Sequence, residues 1–230
     1  MKWRSLQGSD SYSDVRPLCE IFAECKEAIA KYVPADVQGV HARAVAGLKA
    51  QRLAGSALKV GDKAPLFELP DHNGKSVSSA NLLAQGRLVL CFIRGRWCPF
   101  CVGQMEAMSY IVAEIVAAGA SLVAVSPQTE KQAFFMRDQH KLRFPLLVDA
   151  HNRLARQFGL VYRVPEEEQG LYRSTFVNLP FTNGDGSWEL PIPATFVVDR
   201  DGTILFSCAN EDYTDRPEPL EMLSVVESRG

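Results

Sequence analysis

The sequence predicts an α/β fold preceded by a helical N-terminal extension. Apolar strand-like runs alternate with helical patterns: "LVLCFI" at 88–93, "SLVAVS" at 121–126 and "PLLVD" at 145–149. The first run is short and continuously apolar, which is typical of a strand buried on both faces in a parallel sheet. Because strands and helices alternate, we expect a sheet with right-handed crossovers and helices on its faces.

The extension, residues 1–57, is predicted to hold two amphipathic helices. Leu18, Phe22 and Cys25 recur at helical spacing, Pro34 ends the first helix, and Asp36 can cap the second. Their apolar faces fit either the main domain, residues 58–230, or a second subunit. A homodimer is therefore one expectation.

The rest of the main domain shows equally distinct patterns. Turn residues near 61–74 predict a hairpin that leads into a short helix, and "ATFVVD" with "TILFSCA" predicts a second, antiparallel hairpin. Helices are expected from the redox segment to Gly119, then over 129–140, 149–159 and 217–227. Residues 160–190 have no clear period, and their aromatic side chains can cover a site, form a dimer interface or pack in the core.

Composition excludes several classes of partner. The 230 residues include 47% hydrophobic and 23% charged side chains, with a net charge of -2, so no basic field attracts nucleic acid. Residues 1–15 lack the apolar core of a signal peptide, and no later run is long enough to span a bilayer. We expect a cytoplasmic protein that binds neither nucleic acid nor membrane.

The segment "RGRWCPFCVGQ", residues 94–104, carries the strongest chemical signal. Proline favours the first helical position, so a helix that begins at Pro99 makes Cys98 its N-cap. A thiolate there can accept the backbone N–H of Cys101 and lies at the positive end of the helix dipole, which lowers its pKa. Arg94 and Arg96 can add positive charge. Cys101, one turn later, can resolve a mixed disulfide on Cys98.

The Cys98–Cys101 pair has two other interpretations. A zinc site needs four ligands, but the chain has no second CxxC and its four histidines are not paired at ligand spacing, so no metal is expected. An inert buried pair is the other alternative, although a strand-to-helix junction is where α/β sheets place their sites. The four remaining cysteines are expected to be buried apolar filler: Cys19, Cys25, Cys91 and Cys208.

Three segments, "VGDKAPLFELPDHNGKSV", "RGRWCPFC" and "IPATFVVDRDGTI", together resemble the thioredoxin-like superfamily. The chain is most similar to the peroxiredoxin-like branch of the AhpC/TSA family, whose members carry an RG-x-WCP-x-C segment. The resemblance covers about Val60 to the C-terminus. It implies a thioredoxin-like fold, a central mixed sheet flanked by helices.

The resemblance also implies roles for single residues. Trp97, Cys98, Pro99 and Cys101 match the redox segment of thioredoxin-like proteins, with Cys98 attacking and Cys101 resolving. Pro193 in "IPAT" falls where those proteins have a cis-proline beside the site.

The PxxxTxxC pattern of true peroxiredoxins instead places Cys101 at the peroxidatic position. It puts Arg94 at the proline, Cys98 at the threonine and Pro193 at the late arginine. We favour Cys98 as nucleophile because a capping position would expose it. Glu106 is either a proton acceptor or a helical surface charge.

The predicted function is that of a thiol-dependent, antioxidant oxidoreductase. Cys98 and Cys101 cycle between dithiol and disulfide to reduce hydroperoxides or protein disulfides. Electrons come from a separate thiol reductant of the thioredoxin or glutathione type, and no bound cofactor is expected. The alternatives are a general disulfide reductase without peroxidase activity and a redox-sensing or metal-carrying interaction protein.

Overall fold

The computed structural model describes residues 16–175 and 177–228, and a five-stranded mixed sheet forms its centre. In spatial order the strands are β5 (Leu146–Val148), β4 (Ala120–Ser126), β3 (Arg87–Phe92), β8 (Ala194–Val198) and β9 (Ile204–Ala209). Strands β3, β4 and β5 are parallel, whereas β8 is antiparallel to both β3 and β9. This mixed sheet, flanked by helices, confirms the predicted fold class.

Two small pairs of antiparallel strands lie outside this sheet. The first joins β1 (Glu68–Pro70) to β2 (Ser76–Ser78), as the turn residues predict. The second joins β6 (Val161–Arg163) to β7 (Glu189–Pro191) and closes the segment for which the sequence shows no clear period. The longest helix of this segment, Glu166–Ser174, buries Glu168, Gln169 and Tyr172, and two polar side chains among the three leave no apolar period.

Ten α-helices are present in the described residues. They are α1 (Leu18–Tyr32), α2 (Ala35–Ala50), α3 (Ser79–Gln85), α4 (Pro99–Tyr110), α5 (Val112–Ala117), α6 (Glu130–Gln139), α7 (Arg153–Gln157), α8 (Glu166–Ser174), α9 (Leu179–Asn183) and α10 (Pro219–Glu227). The prediction of one helix up to Gly119 was wrong. Ile111 leaves the helical region (φ -97°, ψ 3°), and the bend lets α4 and α5 bury apolar side chains against one core.

Strand β3 is buried on both faces because it lies in the middle of the sheet. Val89 and Cys91 point into the core that contains α4, whereas Leu90 and Phe92 point into the core on the opposite face. All four side chains are buried. The continuous apolar run therefore follows from helices on both sides, and β3 leads directly into the redox segment.

The N-terminal helices pack on the main domain. Phe22 of α1 sits edge-on to Phe100 of α4, with ring centroids 5.0 Å apart. The carboxylate of Glu218 accepts hydrogen bonds from the backbone amides of Leu18 and Cys19, at 2.9 and 2.7 Å, and also forms the capping box of α10. One carboxylate thus satisfies free amides at the starts of two helices. A homodimer, and the boundary between residues 57 and 58, stay predictions.

Helices long and apolar enough to cross a bilayer are absent from residues 16–175 and 177–228. The segment 1–15, which the sequence predicts to lack a signal peptide, lies outside the described residues.

Candidate active site

Helix α4 begins where the sequence predicts. Cys98 is its N-cap residue (φ -93°, ψ 113°) and Pro99 occupies the first turn, just after the carboxyl end of β3. The Cys98 side chain makes no capping hydrogen bond, so the predicted bond to the Cys101 amide was wrong. The helix start therefore does not stabilise Cys98 in the way that the sequence suggested.

Both sulfurs are buried. Cys98 is 1% exposed and Cys101 is 0% exposed. The expectation that the capping position exposes Cys98 was wrong, because α1 and the chain after β9 cover this end of α4. Phe100 contacts Phe22 on one side and Tyr213, at a centroid distance of 5.9 Å, on the other. The residues of the reactive pair are thus shielded from bulk solvent.

An arginine far along the chain contacts Cys101. Arg216 Nη2 donates to Cys101 Sγ at 3.5 Å, and its Nη1 donates to Gln104 Oε1 at 2.8 Å. Gln104 Nε2 in turn donates to Thr195 Oγ1 at 3.2 Å, and Arg216 Nε donates to the Tyr213 carbonyl at 3.0 Å. The guanidinium is therefore held in a fixed orientation toward the sulfur.

Sequence reasoning missed Arg216, Gln104 and Thr195. Arg216 is 115 residues from Cys101 and belongs to no local motif. The only available signal was the late arginine of peroxiredoxins, and the peroxiredoxin pattern places that arginine at Pro193 instead. Long-range contacts of this kind follow from the sheet topology, which a single sequence does not specify.

Charges and hydrogen bonds separate the two thiols. Burial alone would raise the pKa of Cys101, but the hydrogen bond from Cys98 and the cations of Arg216 and Arg94 outweigh it, and that pKa falls well below the usual thiol value. Burial, followed by the hydrogen bond to Cys101, raises the pKa of Cys98 well above it. The electrostatics thus favour a Cys101 thiolate beside a Cys98 thiol, the reverse of the predicted order.

Arg94 is a buried cation, 2% exposed, rather than a solvated surface charge. Its guanidinium lies over the ring of Trp97 at 4.7 Å and over that of Tyr213 at 4.2 Å. Arg94 Nη2 donates to Tyr172 Oη at 2.7 Å. Two aromatic faces and a phenol oxygen replace the water that this cation loses.

A buried carboxylate balances this arginine through the phenol. Tyr172 Oη donates to Glu168 Oε1 at 3.0 Å, and His41 Nδ1 lies 2.8 Å from the same oxygen. Burial raises the pKa of Tyr172 well above its usual value, so the phenol keeps its proton. The chain of hydrogen bonds joins α2, α8 and the redox segment. Helix α8 comes from residues 160–190, and Tyr172 lies against Trp97. Tyr162, Tyr172 and Trp188 are also buried in the core, so the segment both covers the site and packs in the core, while a dimer interface stays a prediction.

Two other predicted site residues, Arg96 and Pro193, make different contacts from those expected. Arg96 is exposed, and its Nη1 donates to Gln132 Oε1 on α6 at 3.1 Å. Pro193 is buried beside the end of β3, but the predicted cis bond was wrong, since the described residues contain none. Its carbonyl instead accepts the Asn210 amide at 3.2 Å and extends the β8–β9 pairing.

Glu106 is not the predicted helical surface charge, whereas its role as a proton acceptor stays a prediction. It is 5% exposed, not a surface charge, and its Oε1 lies 2.8 Å from His140 Nδ1. This pair ties α4 to the end of α6. The carboxylate therefore has a structural partner.

The remaining cysteines are free thiols. Cys25 and Cys91 are buried as predicted, and burial raises the pKa of Cys91 to about 12. Cys208 is half-buried, and Cys19 is exposed, so the prediction of buried filler was wrong for Cys19. Across the described part of the chain, no three His, Cys, Asp or Glu side chains are grouped so that they could hold a metal ion.

The AhpC/TSA family model matches residues 60–207. The chain belongs to the AhpC/TSA family. A putative peroxiredoxin of Mycobacterium tuberculosis (strain H37Rv) is 30% identical over 157 residues, which is 68% of this chain and 88% of the relative. Peroxiredoxin Bcp of Escherichia coli K12 is 29% identical over 103 residues, 45% of this chain and 65% of the relative. These findings confirm the resemblance. This AhpC/TSA member is a thiol-dependent oxidoreductase of the peroxiredoxin-like type.

Solved structures of the same family share the fold. The peroxidoxin BcpB of Mycobacterium tuberculosis superposes with a TM-score of 0.57 at 24% identity, covering 74% of this chain and 96% of that one. AhpC of the same organism gives a TM-score of 0.55 at 20% identity, with 74% and 92% covered. Helices α1 and α2 lie outside residues 60–207 that match the family.

Proposed function

We propose that the protein reduces hydroperoxides, with Cys101 as the attacking thiolate and Cys98 as the resolving thiol. This assignment reverses the roles that the capping argument favours. The peroxiredoxin relatives support peroxide as substrate, and the geometry around the two sulfurs supports the order of attack.

The reaction balances with these two thiols. The Cys101 thiolate attacks one oxygen of R–O–OH, the O–O bond breaks, and the products are a sulfenic acid on Cys101 and an alkoxide that takes up a proton. The Cys98 sulfur then attacks the Cys101 sulfur, and water leaves as the disulfide forms. Two thiols from a separate reductant return the pair to the dithiol. Arg216 can stabilise the thiolate first and the developing negative oxygen afterwards.

The contact from Arg216 Nη2 to Cys101 Sγ, at 3.5 Å, is the observation that carries the proposal. A thiolate needs a nearby cation to persist in a buried site. In the described residues Arg216 donates a hydrogen bond to Cys101, whereas it acts on Cys98 through its charge alone. The charge of Arg94 also lowers the pKa of Cys101.

Burial of the pair argues against a general disulfide reductase. Such an enzyme must bring a disulfide of another folded protein to its nucleophile, but the described structure leaves Cys101 0% and Cys98 1% exposed. A hydroperoxide group is small enough to enter. The same burial disfavours a sensor that exchanges disulfides with large partners.

Trapping of sulfenic acid tests the proposal. Reduced Cys98→Ser, treated with one equivalent of hydrogen peroxide or cumene hydroperoxide in the presence of dimedone, should carry a single adduct on Cys101. Cys101→Ser is the matched control and should react no faster than a free thiol. An adduct on Cys98 of Cys101→Ser, with none on Cys101 of Cys98→Ser, would reverse the roles. No adduct in either variant would refute peroxidase activity.

A further inference from the structure

A cavity of about 730 Å³ opens over the start of α4, between this helix and the N-terminal helices. About half of its lining residues belong to α1 and α2, outside the part that matches the family. Its walls are mainly apolar, with Ile29, Val45, Phe100 and Val177 among them. Binding sites for small organic molecules measure roughly 300–1,000 Å³, whereas a water molecule occupies about 30 Å³. The cavity is therefore far larger than hydrogen peroxide requires.

The cavity faces Cys98 rather than Cys101. Cys98 is among its lining residues and Cys101 is not. In the reduced protein the raised pKa of Cys98 makes it a poor nucleophile. In the disulfide the same sulfur becomes an electrophile that an incoming thiolate can attack. A molecule bound here is thus well placed for the reductive half of the cycle.

Attack at Cys98 also releases the better leaving group. It frees Cys101 as a thiolate 3.5 Å from Arg216 Nη2. Thiol–disulfide exchange is faster when the departing thiol has a low pKa. Attack at Cys101 would instead expel Cys98, whose anion the site does not favour.

The polar groups around the cavity indicate what else the ligand carries. Lys26 and Lys49 are exposed at its edge, and Asp212, which also lines it, has its Oδ2 3.7 Å from Lys49 Nζ. Arg94 is a further lining cation, and its buried Nε has no hydrogen-bond partner in the described structure. Because Asp212 pairs with Lys49 and Glu168 balances Arg94, Lys26 is the cation that a ligand carboxylate would meet at the edge of the cavity.

We propose that this cavity binds the reducing thiol, a small molecule that combines an apolar body with a carboxylate; the inference rests on the proposed function. The thiolate of the ligand attacks Cys98 Sγ, the Cys98–Cys101 bond breaks, and Cys101 leaves as a thiolate. A second molecule of the thiol attacks the ligand sulfur of the mixed disulfide. Cys98 leaves, takes up a proton, and the ligand departs as its own disulfide. Two thiols thereby supply the two electrons.

Access to Cys98 favours a small molecule over a protein thiol. Cys98 lines the cavity together with residues of α1 and α2, and the residue is 1% exposed. A cysteine on a folded protein would have to reach it on a long projecting segment, whereas a small thiol can enter whole. The apolar walls give the body of such a thiol a surface to bury.

The test measures the rate at which small thiols reduce the Cys98–Cys101 disulfide. The full chain is oxidised with diamide rather than peroxide, the Cys98–Cys101 bond is verified by mass spectrometry, and reduction is followed by stopped-flow tryptophan fluorescence. Mercaptohexanoate should reduce it with saturating kinetics. Mercaptohexanol, which has the same chain without the charge, should be slower by up to about fivefold, the factor that one exposed ion pair supplies. Lys26→Gln should abolish this preference.

Two matched variants separate the cavity from the rest of the surface. Ala46 lines the cavity, whereas Ala30 is exposed on α1 and does not. Ala46→Phe should slow reduction by mercaptohexanoate about tenfold, which equals about 1.4 kcal/mol of lost binding. Ala30→Phe should change neither this reduction nor oxidation by hydrogen peroxide. Ala42→Leu, a smaller change on the same wall, repeats the test should Ala46→Phe fail to fold.

Each contrary result has a defined meaning. Unchanged reduction in Ala46→Phe, or equal rates for the two thiols in the wild-type chain, would overturn the proposal. Faster reduction by thioredoxin that is insensitive to Ala46→Phe would assign a protein reductant instead. Slower oxidation by cumene hydroperoxide in Ala46→Phe, with unchanged reduction, would assign the cavity to the peroxide. Failure of every peroxide to oxidise Cys101 would refute the proposed function alone, because the diamide-made disulfide still reports on the thiol.

Discussion

Arg216 and Cys101, 115 residues apart in the chain, meet with Nη2 of the guanidinium 3.5 Å from the sulfur. Gln104 and the Tyr213 carbonyl fix the guanidinium, so the cation cannot turn away without breaking two further hydrogen bonds. This relationship distinguishes two cysteines that a CxxC motif presents as equivalent candidates. It makes Cys101 the anion and Cys98 its proton-carrying neighbour.

Removal of the Arg216 charge should slow peroxide reduction. A hydrogen bond to a charged group contributes about 1.5–3 kcal/mol, so Arg216→Met is expected to lower the rate of Cys101 oxidation at neutral pH by roughly 10- to 150-fold. Arg216→Lys should be intermediate, because an ammonium keeps the charge but not the forked contacts. Stopped-flow measurements with hydrogen peroxide check this, with exposed Arg200→Met as the control. A wild-type rate in Arg216→Met would contradict the role assigned to the arginine.

The buried carboxylate of Glu168 should matter for stability far more than its exposed neighbour does. Glu168 is 2% exposed, accepts a hydrogen bond from Tyr172 and lies beside His41. Glu167 instead forms an ion pair with Arg43 at the surface. Loss of one member of a buried charged network costs about 3–5 kcal/mol, so Glu168→Gln should lower the free energy of unfolding by that amount. Glu167→Gln should change it by less than about 1 kcal/mol. Equal effects in urea unfolding would show that the network is not a buried unit.

The stability of the reduced protein should pass through a maximum with pH. The pKa of Cys101 is lower in the folded state than in the unfolded chain, where it is about 8.5. Between the folded-state pKa and about 8.5 the unfolded state therefore binds more protons, and the free energy of unfolding rises with pH. Above about 8.5 the unfolded Cys98 loses its proton while the folded Cys98 keeps it, so stability falls.

Urea unfolding at a series of pH values measures this profile. Cys101→Ser is the control: the rise below about 8.5 that belongs to Cys101 should disappear in this variant. A rise of the same size in both proteins would mean that another group causes it.

Outside residues 160–190 and apart from the break between α4 and α5, the strand and helix order could be predicted from the sequence, as could the burial of β3 and the N-cap position of Cys98. Each depends on local signals: a continuous apolar run, a turn cluster, or a proline at the first helical position. The electrostatics of the site could not be predicted from the sequence. Arg216 contacts Cys101, and Glu168 connects to Arg94 through Tyr172, only because the tertiary fold brings them together. The burial of Cys98 likewise depends on α1, whose packing surface the sequence left open.

Separate titration of the two thiols tests the central claim most directly. In reduced protein with ¹³Cβ-labelled cysteine, the NMR shift of each residue can be followed with pH, and single Cys→Ser variants assign the signals. We predict that Cys101 titrates well below about 8.5, the usual thiol value, and that Cys98 titrates above it. A low pKa on Cys98 with an ordinary or raised one on Cys101 would contradict the account.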